Sequence, residues 1–193
     1  VMHHGLVFVL YPPQLRASQP DWRSGANAYF AAYAPGYHVE PFPRDTGQLL
    51  PKGSVLTFQL HYNATGHATT DTSRLALYFH KSPPARELIV ESAFNGDFRI
   101  PANTEDYPVE ARYVFKGDAL LHAMLPHMHL RGSRISYEAR YSDGRREVLL
   151  SVPKYDANWQ SLYLLRQPKP MPAGTEILVR GAFDNSSLNP ANP

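Results

Sequence analysis

The sequence predicts an all-β chain of the sandwich kind, and three observations carry that reading. Apolar and polar residues alternate with period two in one short segment after another, and these segments are rich in Val, Ile, Leu, Tyr and Phe. The chain holds 18 prolines, about double the ~5% average, and they fall between the apolar stretches, where they would interrupt any long helix. An Asp-Gly pair separates two alternating segments, a strong short-range signal for a hairpin.

Taken in order, GLVFVLY (5–11) is the first strand. GANAYFAAY suits a short helix over 24–33, ended by Pro35-Gly36. SVLTFQLHY (54–62) and RLALYFH (74–80) alternate as strands, and the proline-rich KSPPARE (81–87) breaks the pattern. VEARYVF (109–115) and the stretch 119–125 follow as strands. RISYEARY (134–141) and REVLLSV (146–152) flank Ser-Asp-Gly-Arg and form the predicted hairpin. TEILVRGAF (175–183) is the last strand.

Two of these strands share an entry. LPKGSVLTFQLHYN (50–63) and MPAGTEILVRGAFDN (171–185) both run apolar-Pro-x-Gly-Ser/Thr into a strand, and a histidine pair lies upstream of each. A common strand-entry turn explains the likeness as well as an internal repeat does. As a repeat it implies two domains of like design, 1–86 and 87–193. The second histidine pair follows two strand-like stretches, whereas the first sits at residues 3 and 4. A metal ligand at a fraying end is poorly held, so residues preceding Val1 are expected. NSSLNPANP stops within a loop, and a continuation past Pro193 is expected as well.

The bulk numbers exclude several functions. An apolar content of 43% supports a real core. A net charge of +2, with 19 basic and 17 acidic residues in no block, gives no basic stripe for nucleic acid. No apolar run reaches the ~20 residues of a membrane-spanning helix. Cysteine is absent, so thiolate ligands, disulfides and cysteine nucleophiles are impossible. The chain also lacks a glycine-rich phosphate loop, a GxSxG elbow and an HExxH helix.

The nine histidines carry the chemistry that remains. In LPHMHLRG (125–132), residues i and i+2 of an extended chain share a face, so His127 and His129 can present both imidazoles to one ion while Met128 faces away. Imidazole suits zinc, copper, iron and nickel alike, so the pair defines a site without naming its occupant. His3 and His4 are adjacent and point to opposite faces of a regular strand; they can share an ion only where the backbone is bulged. His61 ends a strand and is a natural third ligand if that strand lies beside the first. His122, in the apolar stretch just upstream of the pair, is a candidate supporting residue. The alternative for each of these histidines is a half-exposed strand residue with no ligand.

Together, VMHHGLVFV, FQLHYNATG, LPHMHLRG and the closing FDNSSLNPANP resemble the ascorbate-dependent type II copper monooxygenases, the family of the peptidylglycine α-hydroxylating and dopamine β-hydroxylating enzymes. The likeness covers nearly the whole chain and is closest to bacterial members, which are often fused to redox domains. It implies two tandem antiparallel β-sandwiches of jelly-roll kind, each with one copper, facing each other across solvent. His3, His4 and His61 would hold an electron-storing copper. His127 and His129 would hold the dioxygen-binding, catalytic copper together with a methionine. In the family that methionine lies beyond an NPANP-like loop, a position that Met124, Met128 and Met171 do not match, so the chain as given would lack one ligand. The implied activity is hydroxylation of a C–H bond of a small organic substrate, with O2 and ascorbate or another reductant. Leu125 stands where peptide-amidating members carry a carboxylate-gripping arginine, which argues against a peptidylglycine substrate. Tyr62, Arg131 and Asn185 lie near the implied cleft. A periplasmic or secreted location follows from the same resemblance, and a fused or partner redox domain would fit it. Two other readings stay open: a zinc hydrolase or lyase built on His127 and His129, and a non-catalytic copper-binding β-sandwich module.

Overall fold

Where an alternating segment finds a neighbouring backbone it becomes a paired strand, and a computed structural model of the chain shows which segments do. It describes residues 2–18, 29–33 and 42–192. The chain is almost entirely β, as the sequence predicts, and divides into two compact units, Val1–Ser92 and Ala93–Pro193. Arg86 and Glu87 pair with a strand of the first unit, and the division follows Ser92.

In the first unit, β1 (Met2–Leu10) runs between β2 (Tyr29–Tyr33) and β4 (Val55–Tyr62), antiparallel to both. Its alternate residues Val7 and Val9, with Tyr11 just beyond, are buried. A one-and-a-half-turn helix, α1 (Pro13–Ser18), follows, with proline in its first turn, where the missing N–H costs nothing. β3 (Thr46–Gly47) and β5 (Arg86–Glu87) form a two-residue parallel bridge.

Two expectations are corrected here. The helix over 24–33 is not formed at its described end. Tyr29–Tyr33 is β2, where pairing with β1 outweighs a weak local helix preference; residues 24–28 lie outside the described residues. RLALYFH (74–80) forms no strand ladder, and Tyr78 and Phe79 stand 94% and 75% exposed. Alternation alone decides which face a side chain takes; a strand also needs a partner for its backbone groups.

In the second unit, β6 (Tyr107–Val114), β11 (Glu176–Phe183), β8 (Gly132–Arg140) and β9 (Arg146–Val152) form an antiparallel sheet in that order. β7 (Ala119–Met124) and β10 (Tyr163–Met171) form a second antiparallel pair. β10 is absent from the sequence reading, because Pro168 and Pro170 argue against a strand. Both prolines are accommodated in a two-stranded sheet whose register breaks between Leu164 and Lys169. One face of the larger sheet supplies Ile135, Ala139, Ile177 and Val179 to a core that also holds Met128, Tyr155 and Met171.

The two Pro-x-Gly-Ser/Thr entries fold alike. Ser54 N–H donates to Pro51 C=O, and Thr175 N–H to Pro172 C=O. Gly53 and Gly174 sit at φ +86° and +82°, which makes each a type II turn that needs glycine at its third position. The Asp-Gly hairpin closes as predicted, with Gly144 N–H donating to Tyr141 C=O and Tyr141 N–H to Arg145 C=O, the three-residue turn-plus-bulge form.

On the outer face of the larger sheet, Glu110, Arg112, Glu176, Arg140, Glu138 and Arg180 form a closed ring of ion pairs. Leu178 lies opposite Arg112 and Glu138 at the ring's centre and is 0% exposed, covered by the aliphatic stems of its charged neighbours.

Candidate metal centres

The HMH segment is not part of a ladder; it is the extended connection from β7 to β8. Its alternation still holds. His127 and His129 are exposed and Met128 between them is 6% exposed, packed into the core. The two imidazole centres are 5.2 Å apart with planes at 83°. A metal–nitrogen bond of about 2.0–2.1 Å puts a ring centre about 3.2 Å from the ion, so two ligands at a near-tetrahedral angle have centres about 5.2 Å apart. The separation of the two rings is therefore the one that a shared ion would require.

Four contacts hold this short connection still. The buried Tyr155 hydroxyl accepts from Met128 N–H and donates to Met128 C=O, both at 2.9 Å. Tyr137 donates to Leu125 C=O at 3.4 Å, and Gly132 N–H donates to His129 C=O at 2.8 Å. Burial pushes the phenols of Tyr137 and Tyr155 above their ordinary range, so both remain protonated donors at neutral pH. A fourth contact reaches an imidazole directly, His127 Nδ1 to Gln160 Oε1 at 3.0 Å.

Glycine makes the packing beneath possible. A Cβ on Gly132 would stand 2.7 Å from Met128 Cβ and 3.0 Å from Tyr155 Cδ1, and one on Gly181 would stand 3.1 Å from Met128 Cε. Met128 thus lies against two backbones that have no side chain to keep it out.

In the first unit, His4 on β1 and His61 on β4 are direct cross-strand partners, with ring centres 4.2 Å apart. That separation corresponds to a nitrogen–metal–nitrogen angle of about 80–85°, which a small side-chain rotation opens. The register of β1 against β4 shifts between Met2 and His4, so the strand is irregular at His3, the condition set above for adjacent histidines to share an ion. The His3 side chain lies outside what the structure describes. Among the described residues no group of three or more His, Asp or Glu side chains converges, so each centre presents two described imidazoles. Met124, Met128 and Met171 are all buried in the second unit, at 7%, 6% and 0% exposure.

Other singled-out residues have structural partners. Arg131 Nε donates to Asn185 Oδ1 and Asn192 Oδ1, each at 2.7 Å, which ties the closing NPAN loop to the turn after His129. Tyr62 donates to Asp71 at 2.8 Å; that bond raises the phenol's pKa and lowers the carboxyl's. His80 Nε2 meets Thr46 C=O at 3.0 Å. His122 lies on β7, and contacts to the HMH segment come from Tyr155 and Gln160, in the loop between β9 and β10, which nothing in the sequence ties to the histidines.

Fold and site together define an all-β chain that, among the described residues, carries an exposed imidazole pair in the second unit and a cross-strand pair in the first. No family model matches the chain, and no curated protein matches it.

Proposed function

We propose that the chain is the core of a copper-dependent monooxygenase that hydroxylates a C–H bond of a small organic substrate, using O2 and an ascorbate-like reductant. The observation that carries this reading is the imidazole pair His127/His129, set at chelating distance on an exposed segment and braced from the core. The second pair, His4/His61, beside an irregular strand at His3, supports a separate ion held by His3, His4 and His61. The finer architecture belongs to the same proposal: each unit is read as a jelly-roll-like β-sandwich, which the two sheets of the second unit and the shared strand-entry turns favour.

Copper held by these groups supplies one-electron chemistry and activation of dioxygen. Neutral imidazole suits both copper oxidation states, which a site that cycles between them requires. The chain's own residues do the rest. His127 and His129 bind from the solvent side, where substrate and O2 arrive. Tyr155 and Tyr137 fix the backbone that carries them, and Met128 seats that backbone on the core.

Anaerobic Cu(I) loading should give about two equivalents per chain, and His61→Ala and His129→Ala should each lose about one, from different sites. Retention of full copper by either variant refutes that site. One zinc with no copper points to the hydrolase or lyase reading, and copper without ascorbate-driven oxygen uptake, in a chain extended to supply the methionine ligand, points to a binding module.

A further inference from the structure

We infer that Gln160 is a positioning residue that holds His127 as its Nδ1–H tautomer and so commits that imidazole to ligate through Nε2. The inference rests on the metal reading of the pair and adds a residue to it.

The orientation of the Gln160 amide is fixed by its other end. Its Nε2 donates to Ala157 C=O at 3.0 Å, which turns Oε1 toward His127 Nδ1, also at 3.0 Å. An amide oxygen can only accept, so Nδ1 must carry the proton. In a neutral imidazole the lone pair then resides on Nε2, at the far side of the ring. Metal-bound histidines commonly donate their second ring N–H to an oxygen in this way. Here the acceptor is a neutral amide, which orients the ring without adding charge to the centre.

The loop that presents Gln160 is itself hydrogen-bonded internally. Asp156 Oδ1 accepts from Asn158 N–H at 2.8 Å, and Trp159 N–H donates to Asp156 C=O at 2.9 Å. Tyr155, at the start of the same loop, grips the Met128 backbone. One six-residue segment thus fixes both the backbone between the histidines and the ring plane of the first.

The test is ring-nitrogen NMR of the metal-free 193-residue chain, with the His127 signals identified by their loss in His127→Ala. The expected result is a protonated Nδ1 and an unprotonated Nε2. Gln160→Leu should abolish that preference, and Gln160→Glu, which keeps an acceptor oxygen, should retain it. Cu(I) affinity of the second site should fall about 10–100-fold in Gln160→Leu and much less in Gln160→Glu. A His127 protonated on Nε2 in the unmodified chain, or a Gln160→Leu variant with an unchanged tautomer, overturns the inference whatever copper does. The expected tautomer with copper binding indifferent to His127→Ala overturns the metal reading instead, and the positioning role falls with it.

Discussion

Tyr155→Phe deletes one oxygen and leaves the ring in place, so it isolates the clamp on the histidine segment from the packing around it. The lost hydroxyl serves two backbone groups at once, the N–H and the C=O of Met128, each at 2.9 Å and both in a buried setting. A buried backbone group left without a partner costs about 1–3 kcal/mol, so two put the loss at about 2–6 kcal/mol; local relaxation toward solvent places the expected value in the lower part, about 2–4 kcal/mol. For a unit of this size each kcal/mol moves the midpoint by about 4–8 °C, and the drop should be on the order of 10–25 °C. Calorimetry of the metal-free chain measures this, and copper titration should show a weakened second site with the first unchanged. A midpoint within about 3 °C of the unmodified chain would refute the clamp, because Phe then satisfies everything that Tyr does.

Gly132→Ala should be the more damaging of two small changes, since its methyl meets Met128 Cβ at 2.7 Å and must shift the segment bearing both histidines, whereas Gly181→Ala meets only the mobile Cε end at 3.1 Å. Copper affinity at the second site should fall in the first variant and hold in the second, as titration would show. Leu178→Ala should cost about 3 kcal/mol in chemical unfolding despite lying on the outer sheet face, because the residue is wholly buried under the ring of charges. Arg180 foremost, then Arg112, holds the Glu110 carboxyl below its ordinary 4.5, and Arg140, then Arg180, does the same for Glu138. Depressed folded values add stability above the unfolded pKa that is lost as pH falls through the folded one, so the thermal midpoint should decline from about pH 5 to pH 3. Glu110→Gln with Glu138→Gln should flatten that decline, and an unchanged slope would dismiss the ring as a source of acid sensitivity.

What the sequence made legible was what depends on neighbours along the chain. Period two places His127 and His129 on one side and Met128 on the other without any ladder to enforce it. The Asp-Gly hairpin and the paired Pro-x-Gly turns need only local geometry, and both form. Partners distant in sequence decided the rest. Residues 29–33 became a strand because β1 lay beside them, and 74–80 did not because no ladder met them. Prolines concealed β10 by breaking its register rather than by preventing it. Tyr155 and Gln160 lie 27 and 33 residues from their contacts, and no periodicity links a tyrosine in one loop to a carbonyl in another.

The buried methionine at the centre of the HMH triplet gives the exposed site an arithmetic. Inserting a single residue on either side of Met128 would turn a thioether to water and an imidazole toward oil, whereas inserting two would preserve the alternation. Relocation of the centre along this connection can therefore proceed only in even steps, and a deletion scan through 125–131 should alternate between tolerated and ruinous lengths.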